Sequence, residues 1–85
     1  MASVHVIYKG QTQDIEFDTL FTAERRANMG IDPNAVLTAS NVTEAQLKQA
    51  LAQFFDVGLG EFNDHYVEMN PNGNATVRPN TTFGV

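Results

Sequence analysis

The chain has 85 residues, ten acidic against five basic for a net charge of −5, and no cysteine. This length encloses one small core, which neither a disulfide nor a thiolate metal site reinforces. Only Arg25 and Arg26 are adjacent bases, which argues against the clustered positive face of a nucleic-acid binder; the dilute acids read as solubility.

Residues 3–9 alternate as a strand with Val4, Val6 and Tyr8 on one side. Ile15 and Phe17, set between acids, form a second, half-buried strand. Gly10-Gln11 suits a two-residue type II′ turn, whose first central position needs φ > 0. That loop predicts Val6 opposite Ile15, Val4 opposite Phe17, and His5 opposite Glu16.

Residues 19–41 read as a long irregular connection, a feature usually functional or mobile in a compact domain. Within it, Thr22 caps a short helical turn through Ala23–Asn28 that Gly30 ends, and Asp32-Pro33-Asn34 forms a turn. Residues 35–38 are an extended piece or a plug over the core. Leu20, Phe21, Met29, Ile31, Val36 and Leu37 are expected to cover one end of the core.

The long helix is predicted over about residues 43–57. Thr43 and Gln46 have capping-box spacing, and Val42 with Leu47 makes a hydrophobic staple. Leu47, Ala50, Leu51, Phe54 and Phe55 form the apolar arc, with Gln46, Gln49, Gln53 and Asp56 opposite. Glu44 suits the first turn and lies four residues before Lys48; Gly58 is the expected stop. Leu59 and Phe62 are expected to anchor the turn-rich passage that follows.

A second hairpin joins residues 65–69 to 75–78 around Asn70-Pro71-Asn72-Gly73-Asn74. An Asn72-Gly73 type I′ turn mixes buried and exposed partners. A three-residue loop, with Pro71 and Asn72 in a type I turn and Gly73 left-handed, instead pairs Val67 with Val77, Met69 with Ala75 and Glu68 with Thr76. The second register is preferred. Pro79 ends or edges the last strand, leaving 80–85 as a tail.

The order is therefore ββαββ: one α+β domain over 1–79, a mixed four-stranded sheet packed on one amphipathic helix, with the first and last strands adjacent and parallel. In size, element order and helix position the chain resembles the ubiquitin-like β-grasp superfamily. This resemblance is architectural, covers nearly the whole length and rests on no diagnostic motif. It implies either a non-covalent adaptor that presents its sheet to another protein, or a covalent modifier or carrier activated at a C-terminal Gly-Gly. The chain ends Thr82-Phe83-Gly84-Val85, one glycine followed by a β-branched residue, so the adaptor is the expected role. The alternatives are a modifier processed near Gly84 and a structural subunit of a larger assembly of phage or secretion type.

Interaction residues expected on this reading are Phe55 on the helix, Tyr66, Glu68 and Arg78 on the sheet, and Phe83 and Gly84 in the tail. Catalytic, metal and cofactor sites are expected to be absent. His5 beside Glu16 reads as a cross-strand pair and Glu61, Asp64 and His65 as a polar turn rather than metal ligands. No hydrolase elbow or phosphate-cradling glycine run is present. Asn41, Asn74 and Asn80 fit the N-glycosylation pattern but read as capping and turn residues. No segment reaches the roughly 18 apolar residues of a membrane span, and the first six residues lack signal-peptide character, so a cytoplasmic protein is expected.

Overall fold

The computed structural model describes residues 2–79. Strands β1 (Ser3–Tyr8) and β2 (Gln11–Glu16) are followed by helices α1 (Phe17–Leu20), α2 (Ala23–Met29) and α3 (Glu44–Phe54). A 3-10 turn (Leu59–Phe62) then leads to β3 (His65–Met69) and β4 (Ala75–Pro79). The sheet order is β2-β1-β4-β3, with β1 and β4 parallel and an antiparallel hairpin on either side. This is the expected α+β arrangement, a mixed four-stranded sheet of two hairpins with the long helix between them, to which two short helices and a 3-10 turn are added. Val4, Val6, Ile15, Ala75 and Val77 point inward and share one core with Leu47, Ala50 and Leu51 of α3.

The first hairpin turns one residue earlier than the sequence suggests. Lys9 and Gly10 both have positive φ (51° and 78°), the requirement of a type I′ turn, in place of the expected Gly10-Gln11 loop. Val4 therefore faces Ile15, Val6 faces Gln13, and His5 faces Asp14 rather than Glu16. Partners move by two residues, so every side chain keeps its face. Phe17 leaves the ladder: its N–H donates to the Ala2 carbonyl at 3.1 Å, and the chain then winds into α1.

The second hairpin has the expected register, Val67 to Val77, Glu68 to Thr76 and Met69 to Ala75. Gly73 N–H donates to the Asn70 carbonyl at 3.0 Å, closing the turn around Pro71 and Asn72. Gly73 itself has φ 94°, and a Cβ there would lie 3.6 Å from the Thr38 side chain. The left-handed turn geometry favours glycine, while Thr38 lies at an ordinary packing distance.

Helix α3 starts as predicted. Thr43 Oγ1 accepts from Gln46 N–H at 3.0 Å, and Gln46 Oε1 accepts from Thr43 N–H at 2.9 Å. Glu44 and Lys48 approach to 3.6 Å. The stop comes earlier than Gly58: Asp56 takes the left-handed conformation (φ 56°). Asp56 N–H donates to the Gln53 carbonyl and Val57 N–H to that of Ala52, the two bonds of a Schellman motif.

Residues 19–41 are more structured than an irregular connection. Helix α2 has the predicted Thr22 cap and ends at Gly30 with φ 71°. Leu20, Phe21 and Leu37 are buried, whereas Val36 is 81% exposed. The organiser is Arg26, only 6% exposed. Its Nε donates to the Phe21 carbonyl (2.9 Å), and Nη2 to Asp18 Oδ1 (3.1 Å). The two Nη1 protons are shared among the carbonyls of Asp32, Pro33 and Ala35 at 2.9–3.3 Å. A guanidinium tolerates burial when its fork is filled in this way.

Candidate interaction surface

On the sheet face opposite α3, period-two alternation sets Tyr66, Glu68, Thr76 and Arg78 side by side. Tyr66 is 50% exposed, and the Arg78 guanidinium carbon lies 5.2 Å from its ring centroid. A cation over an aromatic face at an exposed site is worth about 0.5–1 kcal/mol and holds both side chains against the sheet. Thr76 also neighbours His5 across the parallel pair. On the same face His5 Nδ1 lies 2.7 Å from Asp14 Oδ1. The surface thus runs from an aromatic-cation pair on the β3 side to a His-carboxylate pair on the β2 side. Three of the sequence-predicted interaction residues, Tyr66, Glu68 and Arg78, meet here.

Phe55 does not join them. It lies half-buried in an aromatic group at the end of β1, with ring centroids 4.9 Å from Tyr8 and 6.1 Å from Phe62. Tyr8 stacks on Phe62 at 5.1 Å, and Phe54 meets Phe55 edge-on at 5.2 Å. Phe62 is fully buried, as expected of an anchor, but Leu59 is 56% exposed and anchors nothing. Phe83 and Gly84 lie outside the described residues.

His65 closes the aromatic group, its ring 4.8 Å from Phe62 and 6.1 Å from Tyr8. Both ring nitrogens are buried without a hydrogen-bond partner. Burial, followed by the charge of Lys48, holds its pKa below the ordinary value of 6.5. Asp64, Glu61 and the Ile7 backbone pull the other way, although Ile7 does not reach hydrogen-bond geometry. Glu61 is instead engaged by the Tyr8 hydroxyl, which donates to its Oε2 at 2.9 Å. Burial, that hydrogen bond and the Glu61 charge raise the Tyr8 pKa. Among the described residues no three His, Asp or Glu side chains gather into a metal-binding group.

Nothing in the composition flagged His65 as buried. The signal was positional: it shares strand parity with inward-facing Val67 and Met69.

Among the described residues, a cleft lined by Ala2, Phe17, Asp18, Val36, Leu37 and Thr38 holds about 80 Å³. Small-molecule sites are usually several hundred cubic ångströms. No helix among the described residues is long and apolar enough to cross a membrane. Comparison with models of known protein families, with curated proteins and with solved structures gave no match to this chain.

Proposed function

We propose that the chain is a non-catalytic cytoplasmic adaptor of the ubiquitin-like kind, binding another protein through the open sheet face around Tyr66, Glu68 and Arg78. The observation that carries this reading is the half-exposed Tyr66 under the Arg78 guanidinium, on a face that none of the described helices covers. Tyr and Arg are the residue types that most often dominate binding energy at interfaces. The parallel β1–β4 pair between two hairpins supports the ubiquitin-like assignment, and the small cleft supports a role without a substrate pocket.

The test is partner capture from the native host by N-terminally tagged protein, compared with Tyr66→Ser/Arg78→Ser and Phe55→Ser variants. Hot-spot residues are worth about 2 kcal/mol or more, roughly 30-fold in Kd. A partner held by this face should weaken at least that much in the sheet variant and little in Phe55→Ser. Capture that survives the sheet variant and fails in Phe55→Ser places the contact at the aromatic group and overturns the proposal.

A further inference from the structure

The ring of His65 occupies an aromatic setting in which neither nitrogen has a partner. A neutral imidazole already loses its hydration there, and an imidazolium would bury a charge and two unpaired donors. Charged and titratable groups approach from each packed element that carries one. Lys48 comes from α3, Glu61 from the 3-10 turn, Asp64 from the turn before β3, and Tyr8 from β1. The β4 neighbour, Pro79, has no charge to offer. Lys48 disfavours the imidazolium, while Asp64 and Glu61 favour it; the Glu61 carboxylate is meanwhile held by the Tyr8 hydroxyl.

The backbone around this group is also under strain. The two non-glycine residues with positive φ among the described residues, Lys9 and Asp56, each directly follow one of its aromatic members, Tyr8 and Phe55. Residues held in the left-handed region cost free energy that surrounding packing must offset. Packing at this corner is the contact among Tyr8, Phe55, Phe62 and His65.

We propose that the corner joining the 3-10 turn Leu59–Phe62 to β3 is an acid-sensitive latch. Protonation of His65 expels its ring from against Phe62 and Tyr8, and the corner opens from the His65–Pro79 rung of the sheet. The direction follows from linkage. The folded pKa lies below the unfolded 6.5, so the latch is fully closed above about pH 6.5 and loses stability as pH falls through 6.5 toward the folded value. Once outside, both N–H groups hydrate and the imidazolium faces Asp64 and Glu61.

The experiment uses the full chain. His65 and His5 ring resonances are followed by NMR from pH 8 to pH 5, together with amide exchange at residues 62–67. His65 should titrate below 6.5. Exchange at these amides, corrected for its intrinsic pH dependence, should accelerate by up to about tenfold for each pH unit between 6.5 and the folded pKa, and level off below it. His65→Phe should abolish that acceleration, and Lys48→Met should move the His65 titration upward. A His65 that titrates at or above 6.5, or an acceleration that persists in His65→Phe, overturns the latch. Should His65→Phe fail to fold, the wild-type titration and Lys48→Met decide it: a titration point unmoved by Lys48→Met counts against the proposal.

Discussion

Arg26 and His65 are both polar side chains drawn inside, toward opposite ends of β1. Arg26 secures the segment after α1, which Phe17 ties to Ala2 at the start of the strand; His65 rests against Tyr8 at its end. The two are held by different physics. The Arg26 fork is filled by four carbonyls and a carboxylate, so a full charge sits at low exposure with its donors matched. His65 packs against aromatic rings, and neither of its nitrogens has a hydrogen-bond partner among the described residues. Burial of a polar group is therefore stabilising at one end and a liability at the other, and what decides is whether the partners are present.

The sharpest way to break that comparison is to make both sites apolar. Arg26→Ala should lose about 3 kcal/mol in urea unfolding, because it abandons Asp18 and the carbonyls of the 32–35 turn. Arg26→Lys should recover less than half of that, since an ammonium cannot reproduce the fork. His65→Phe should change stability in the opposite sense, a gain of about 1 kcal/mol at pH 7, by replacing an unsatisfied ring with one that only packs. Equal losses at both positions would mean that His65 has a partner in solution and that the contrast is false.

These two residues also mark where sequence reading stopped. The capping box of α3 and the loop around Pro71 and Gly73 were legible because their partners lie within a few residues and their chemistry belongs to side-chain type. The open-face trio was legible too, since strand alternation and register put Tyr66, Glu68 and Arg78 together. Arg26 was not, because four of its five acceptors are backbone carbonyls, which every residue carries and no sequence pattern marks. The particular rings that Phe55 meets were not legible for a related reason: Tyr8 and Phe62 come from other elements.

A smaller effect probes the strain at the His65 end. At the Arg26 end the left-handed helix terminus falls on Gly30; at the other it falls on Asp56, two residues before the glycine that the sequence offered as a stop. Asp56→Gly should stabilise by about 0.5–1 kcal/mol, read as a rise in the urea midpoint at constant slope. It should also slow amide exchange at Phe55 and Val57. No gain would show that Asp56 sits in its conformation without cost, leaving unpaired polar groups as the sole weakness of this end.

The smallest effect is expected at Lys9, where two contributions oppose each other. Its φ of 51° disfavours a long side chain, and Asn-Gly is the preferred pair for a type I′ turn. Against this, the Lys9 ammonium lies 5.5 Å from the Tyr8 ring centroid, worth about 0.5 kcal/mol at an exposed site. Relief of the left-handed cost is about 1 kcal/mol, so Lys9→Asn should gain about 0.5 kcal/mol in urea unfolding. The pairing of Val4 with Ile15 should persist in cross-strand NMR contacts, because the turn type is unchanged. A loss of stability instead would mean that the ammonium's hold on Tyr8 exceeds the backbone cost. The end of β1 would then be fastened by a charge as well as by aromatic packing, closer in kind to the Arg26 end than its unpaired histidine suggests.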